Sequence, residues 1–104
     1  MSVGRIGEMV AQPGKEKALQ TFIQTVIVPA IEASEGGHSC QVYQNQSDPA
    51  RFMIVEVWDS IEAHQASVKN IKPEEIAEVK TLLADMPPGA YYTVIEQERG
   101  TSFS

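Results

Sequence analysis

Hydrophobic residues occupy consecutive positions along residues 51–58, whereas most of the chain alternates or follows a helical period. An extended segment that is apolar on both faces is typical of a central strand with cover on each side of its sheet. By parity, one face of this strand combines large apolar residues with an acid and an indole: Phe52, Ile54, Glu56 and Trp58. The opposite face carries aliphatic side chains: Met53, Val55 and Val57. The two faces of the predicted strand are therefore chemically different.

The pattern before this strand predicts a strand, a helix and a second strand. Residues 3–12 alternate loosely and end at a Pro13-Gly14 turn. From Lys15 the apolar positions follow i, i+3, i+4, i+7 spacing and predict a helix that ends near Gly36. Pro29 should either kink this helix or tighten its last turns. Residues 38–46 predict a second strand, which a turn at residues 45–49 joins to the central strand as a hairpin.

Two helical segments and a final strand are predicted after the central strand. Ser60 is a suitable N-cap for a helix over residues 61–68. After a break, Pro73 fits the first position of a third helix, whose buried stripe extends to Leu83 and which stops at residues 86–89. Residues 90–97 predict the last strand, and residues 99–104 predict a loose tail.

The predicted order is β-α-β-β-α-α-β over one domain, residues 1–104. This is an α+β, ferredoxin-like arrangement, with a four-stranded antiparallel sheet and helices on one face. No predicted element covers the other face, so Met53, Val55 and Val57 would form an exposed apolar patch. A second copy of the same sheet is the simplest cover. We therefore predict a homodimer.

Charge and cysteine content exclude several classes of partner. The net charge is −6, and the basic residues are scattered, so neither nucleic acid nor a membrane surface is an expected partner. The single cysteine, Cys40, has no disulfide partner and lacks zinc-site spacing. We find no nucleotide or flavin motif and predict no cofactor and no metal. No signal peptide or membrane span is visible, so a cytoplasmic location is expected.

Glu56 and His64 are the candidate catalytic residues. A carboxylate on the helix-facing side of a central strand would be desolvated, which raises its pKa and suits a general base. Histidine titrates near neutrality and can move a proton to or from a phenol. The structural alternatives are a Glu56 paired with Arg5 or His64, and a half-buried histidine with a satisfied partner.

Aromatic and aliphatic neighbours supply the candidate substrate-binding residues. Trp58 and Ile54 share the face of Glu56, and an indole packs well against a flat aromatic ring. Tyr91 and Tyr92 are adjacent in the last strand, so one is expected to face the cavity and the other the sheet interface. Packing alone is the alternative role for both tyrosines.

The chain resembles the antibiotic biosynthesis monooxygenase family, which has a dimeric α+β barrel fold. The resemblance rests on the order and spacing of short segments along nearly the whole chain: Gln12-Pro13-Gly14, Val28-Pro29, Glu35-Gly36-Gly37-His38, Asp48-Pro49, Glu56-Val57-Trp58 and Ala63-His64. It implies a homodimer with sheets packed face to face and a cavity in each subunit. Family members include oxygen-dependent monooxygenases of polyketides or quinols that need no flavin or metal, haem-degrading enzymes and an isomerase. His64 occupies a position where a phenol-oxidising relative has a tyrosine.

Haem cleavage is not expected within this resemblance. The haem-degrading relatives use an asparagine in the first strand, a tryptophan on the second helix and a histidine further along. This chain has Gly7 and His64 at the first two places and no histidine after Ser67.

The function predicted from the sequence is a cofactor-independent monooxygenase acting on a hydroxylated aromatic or quinol. Two alternatives remain: a non-catalytic dimer that binds a small apolar molecule, and an isomerase or decarboxylase that needs only an acid/base pair. A purely aliphatic pocket would favour the binder, whereas His64 or Glu56 against open space would favour an enzyme.

Overall fold

The computed structural model describes residues 2–95. The elements in chain order are β1 (Val3–Ala11), α1 (Glu16–Phe22), a π-helical segment (Ile23–Ile27), α2 (Val28–Ala33), β2 (Gly37–Gln44), β3 (Arg51–Trp58), α3 (Ile61–Val68), α4 (Pro73–Leu82), β4 (Leu83–Asp85) and β5 (Ala90–Thr93). The predicted strand positions 96 and 97 and the predicted tail at residues 99–104 lie outside the described residues.

The sheet is antiparallel, with β1 and β3 at its centre and the order β2-β3-β1-β4, and β5 also pairs with β1. Both β4 and β5 lie on the edge of β1 away from β3, β4 beside Val10 and Ala11 and β5 beside residues 3–6. The α+β, ferredoxin-like prediction is confirmed in element order and helix placement. The predicted count of four strands is wrong, because the edge position is shared by two short strands.

The missed strand follows directly from α4. Leu83 fits the helical spacing of the preceding residues, but its backbone is extended (φ −90°, ψ 130°). It pairs with Ala11, and Gln12 donates its side-chain amide to the Leu83 carbonyl at 3.1 Å. Residues 87 and 88 are prolines and have no N–H to donate to a ladder. The prolines therefore account for the separation of β4 from β5.

The predicted kink near Pro29 takes the form of the π-helical segment. Val28 donates its backbone N–H to the carbonyl of Ile23, five residues earlier. Pro29, at the start of α2, has no N–H for the carbonyl of Thr25, so an ordinary α-helical turn would leave that carbonyl without a donor. The wider turn accommodates this break in the hydrogen-bond ladder.

The core lies between the helices and one face of the sheet. The largest fully buried side chains are Trp58, Phe52, Leu19 and Ile23. On the sheet, the buried cluster contains residues from the helix-facing side of β1 and β3, together with Cys40 of β2. On the helices it contains residues of α1, the π-helical segment and α4. Helices on one face of the sheet are therefore confirmed.

A tight turn and a capped helix fix where α3 begins. Gly36 has φ +82°, a conformation that favours glycine, and it lies against Ala63 of α3. A side chain at Gly37 would clash with the backbone carbonyl of Ile31. Ser60 accepts a hydrogen bond from the Ala63 amide at 3.1 Å, as predicted for an N-cap. The first turn of α3, which carries His64, is thereby held against the end of β3.

The opposite face of the sheet is accessible and mainly apolar, with the ion pair between Arg51 and Glu8 at one end. Met53 is 44% exposed and Tyr92 is 51% exposed, while Val55 and Val57 are half-buried. Tyr43, paired with Met53, is also exposed on this face. We call this surface, defined by Tyr43, Met53, Val55, Val57 and Tyr92, the open face.

Candidate active site

A cavity of about 620 Å³ lies between the sheet and the helices. Its wall is mainly apolar, with contributions from β1, β3, the helices and the segment between β4 and β5: Met9, Phe22, Ile27, Ile54, Val79 and Pro88. Six residues capable of ionic or proton-transfer chemistry also line it, and the most buried polar group among them is formed by Arg5, Glu56 and His64. A cavity of this size with a few converging polar groups is typical of a small-molecule site.

Glu56 is buried in the cavity wall with a side-chain partner on each carboxylate oxygen. Its residue exposure is 5%. The indole Nε1 of Trp58, two residues along the same face of β3, donates to Oε1 at 2.8 Å. Arg5, opposite Glu56 in β1, places Nη1 3.6 Å from Oε2. Burial raises the pKa of Glu56 above its usual value, while Trp58 and Arg5 act in the opposite direction.

His64 is held between two aromatic rings. Its exposure is 8%, and its ring meets those of Trp58 and Tyr91 edge-on, each with centroids 5.5 Å apart. Burial, with a smaller contribution from the positive charge of Arg5, lowers the pKa of His64 to about 4. The imidazole is therefore neutral at pH 7.

The proton position on that neutral ring follows from a 2.6 Å contact between the Tyr91 hydroxyl and Nδ1 of His64. A phenol is a good donor and a poor acceptor, and 2.6 Å is short for an N–H···O bond. We therefore assign the hydroxyl as donor and Nδ1 as acceptor, which leaves the proton on Nε2. In this tautomer His64 presents a donor, rather than a base, to the cavity.

The predicted site residues fall into three groups. Glu56, His64 and Ile54 line the cavity. Tyr91 lies on the same face, because it pairs with Arg5, and it acts through its hydrogen bond to His64. The prediction that Trp58 contacts substrate is corrected: its ring is fully buried behind Glu56 and His64 and is not part of the wall.

Tyr92 does not belong to the cavity. It pairs with Gly4, whose parity is that of the open face, and its side chain points away from Glu56. The prediction that Tyr92 binds substrate is therefore corrected. The expectation that one of the two tyrosines faces the cavity side and the other the opposite face is consistent with this geometry.

Arg5 is the main residue whose place in the site was not predicted. From the sequence it is only a structural partner considered for Glu56, since its strand register is unknown. The register sets Arg5 opposite both Glu56 and Tyr91, in the middle of the polar cluster. The loose alternation of β1 was the available signal, because it gives Arg5 and Met9 the same parity.

Two other side chains that could take part in chemistry, Cys40 and His38, do not line the cavity. Cys40 is buried opposite Glu56, and burial, then the charges of Glu56 and Glu32, raises its pKa to about 12, so it remains a thiol. His38 is exposed and is bonded to Asp59. Within residues 2–95, no group of three or more His, Cys, Asp or Glu side chains is placed to hold a metal ion. No helix in that part of the chain is long and apolar enough to span a membrane.

Comparison with known proteins identifies the family. The antibiotic biosynthesis monooxygenase family profile matches residues 2–71, and the chain belongs to this family. A candidate antibiotic biosynthesis monooxygenase from Chloroflexus aurantiacus J-10-fl is 31% identical, with 94% of this chain and 97% of that chain covered and a TM-score of 0.75. Another, from Deinococcus radiodurans, is 22% identical over 98% of this chain and all of its own (100%), with a TM-score of 0.75. No curated protein matches this sequence.

Proposed function

We propose that this protein is an oxygen-dependent monooxygenase that acts on a small hydroxylated aromatic or quinol without a bound cofactor. The observation that carries the proposal is the apolar cavity in which Arg5, Glu56 and His64 converge. Apolar walls suit a flat aromatic ring, and family membership supports monooxygenase-type chemistry.

Glu56 is the proposed general base. Its pKa is raised by burial, which brings it closer to that of an acidic phenol, and one of its oxygens points towards Arg5 rather than towards a tight partner. The assigned tautomer of His64 leaves no free lone pair on Nε2, so His64 is the proposed hydrogen-bond donor to substrate oxygen. Ile54 and the helix side chains hold the ring and exclude water.

The proposed reaction can be written for 1-naphthol as a test substrate. Glu56 takes the hydroxyl proton, and the naphtholate anion passes one electron to O₂, giving a naphthoxyl radical and superoxide. Recombination forms a C–O bond at the position para to the oxygen. Loss of the hydrogen at that carbon, with O–O cleavage, releases water and leaves a carbonyl. One naphthol and one O₂ thus give one 1,4-naphthoquinone and one water.

Oxygen uptake with a panel of naphthols and quinols tests the proposal. Uptake well above the enzyme-free rate, and loss of most of it in Glu56→Gln, is expected, with metal and flavin analysis of the purified protein alongside. Background uptake across the panel, or an unchanged rate in Glu56→Gln, would argue against it.

The two alternatives are separated by the same assay. Binding without turnover would favour the ligand-binding dimer, although charged groups in the wall favour an enzyme over a purely apolar binder. Turnover that continues at full rate without oxygen would favour isomerase-type acid/base chemistry.

The open face is the proposed dimer interface. Exposed Met53 and Tyr92 and half-buried Val55 and Val57 form an apolar surface on a sheet whose other side is already covered by helices. Packing two such faces about a two-fold axis would remove this surface from water. Light scattering that gives only the 11.4 kDa monomer at micromolar concentration would contradict the interface.

A further inference from the structure

The side chain of Arg5 places a partly buried positive charge in the cavity wall. It is 25% exposed and lines the cavity beside Glu56. A structural arginine–carboxylate pair is commonly bidentate, with N···O distances of about 2.7–2.9 Å. Here the single ion-pair contact is 3.6 Å long, and within residues 2–95 no other hydrogen-bond acceptor is recorded for the guanidinium. Most of its donors are thus available to a ligand.

Two glycines make room for the guanidinium at this position. A Cβ at Gly89 would lie 2.6 Å from Nη2 and 2.8 Å from Cζ of Arg5. A Cβ at Gly7 would lie 3.3 Å from Nη1. Gly89 closes the Met86-Pro87-Pro88 segment that also lines the cavity, so the glycines let Arg5 lie flat in the wall. A side chain at either place would press on the guanidinium.

We propose that Arg5 binds the anionic oxygen of an aromatic ligand, so that the cavity selects hydroxyaromatics acidic enough to occupy it as their oxyanions. The inference rests on the proposed function and specifies its substrate class. When Glu56 takes the substrate proton, the negative charge moves from its carboxylate to the substrate oxygen. Arg5, beside Glu56, stays charged throughout and neutralises either anion. With the proton on Glu56, the cavity therefore holds one negative charge, on the ligand oxygen, and Arg5 pairs with it; an unpaired charge would be costly in an apolar site.

His64 fits the same role from another side. Its positively charged neighbour is Arg5, and its assigned Nε2–H would donate to the oxyanion. A neutral donor and a cation around one oxygen stabilise a localised negative charge better than either group does alone. Anionic ligands are expected to be preferred even when no reaction occurs.

The test uses two ligands that differ in charge and are already oxidised. 2-Hydroxy-1,4-naphthoquinone ionises in neutral buffer, whereas its methyl ether, 2-methoxy-1,4-naphthoquinone, cannot. Isothermal titration calorimetry of the wild-type protein should give a Kd for the hydroxy compound at least tenfold lower than that for the methyl ether. Arg5→Gln should remove most of that preference while changing the Kd of the methyl ether little, and Arg5→Lys should retain part of it.

Two further variants keep the test decisive. Gly89→Ala leaves the charge in place but displaces the guanidinium, so it should weaken binding of the hydroxy compound several-fold. Arg51→Gln is the matched control, because Arg51 is paired with Glu8 and Asp48 and does not line the cavity. The ratio of the two Kd values in Arg51→Gln should equal that of the wild type.

Equal affinity of the wild type for the two ligands, or binding of neither, would overturn the inference. So would a preference that survives in both Arg5→Gln and Gly89→Ala. Because both ligands are already oxidised, the result does not depend on turnover. A preserved preference with no oxygen uptake would contradict the proposed function alone.

Discussion

The two faces of β3 differ in which side chains they bury and which they expose. On the helix side, Glu56 is buried although its charged form loses hydration there. Its carboxylate accepts a hydrogen bond from the indole of Trp58 and lies 3.6 Å from the guanidinium of Arg5. On the open face, Met53 is 44% exposed, and the charged side chain of β3 on that side, Arg51, is paired with Glu8. A chain stabilised only by packing would be expected to bury the methionine and expose the carboxylate.

The difference assigns separate roles to the two faces. Glu56 is paired with Trp58 and Arg5 yet lines a cavity, and a buried carboxylate with a raised pKa beside open space is consistent with a chemical role. An exposed aliphatic patch costs solubility, so its position is consistent with association. One strand therefore carries both the proposed site and the proposed dimer interface, separated by the thickness of a single sheet.

The largest expected effect is on activity. Glu56→Gln removes the proposed base while keeping the acceptor for Trp58, and it should lower kcat about 10²–10⁴-fold. The control is Glu62→Gln, since Glu62 is an exposed carboxylate near the start of α3. Steady-state oxygen uptake measures the kcat of both variants. Equal rates would contradict a catalytic role for Glu56.

A pair of neighbouring variants compares the two faces directly. Ile54→Ala opens space in the buried core and should cost about 2–5 kcal/mol in unfolding free energy at any protein concentration. Val55→Asp should instead dissociate the proposed dimer. Its Tm should be lower than that of the wild type at concentrations where the wild type is dimeric, and this difference should shrink when the wild type is diluted to monomer. Thr21→Asp, on the exposed side of α1, is the control. A concentration-independent loss in Val55→Asp would contradict the interface.

The pH dependence of stability should report the burial of His64. Its folded pKa, about 4, is below the ordinary value of 6.5, so its contribution is present above pH 6.5 and lost as pH falls towards 4. The full loss corresponds to about 3 kcal/mol. Glu56, with a raised pKa, has the opposite sign and loses stability as pH rises.

Urea unfolding of the wild type and His64→Gln at pH 7, 6, 5 and 4 isolates the histidine. Glu56 is common to both proteins, so its titration largely cancels in the difference. The stability advantage of the wild type should shrink steadily as the pH falls. A difference that is independent of pH would mean that His64 is not shielded from water.

The smallest effect is expected from Tyr91→Phe. Loss of the hydroxyl donor to Nδ1 should cost about 0.5–1.5 kcal/mol and let His64 sample both tautomers. The ¹⁵N chemical shifts of the His64 ring, recorded with Tyr92→Phe as control, measure the proton position. A wild-type spectrum with the proton on Nδ1 would reverse the assigned roles and make Nε2 a candidate base.

Strand parity alone could predict much of the site. The alternation along residues 51–58 separates Glu56 and Trp58 from Met53 and Val55, and the N-cap at Ser60 places His64 near the end of β3. The pairing register could not be read from one strand, so the position of Arg5 and the assignment of Tyr91 rather than Tyr92 to the cavity side needed the three-dimensional structure. Leu83 misled the helix prediction, since tertiary pairing with β1 overrides its helical spacing.

Oxygen consumption by the wild-type protein with 1-naphthol, followed by addition of catalase, tests the central claim most directly. Monooxygenation predicts one O₂ consumed for each naphthol converted to 1,4-naphthoquinone, no oxygen returned by catalase, and a rate that falls to near background in Glu56→Gln. Oxygen returned by catalase, or naphthol consumption that does not depend on Glu56, would contradict the account.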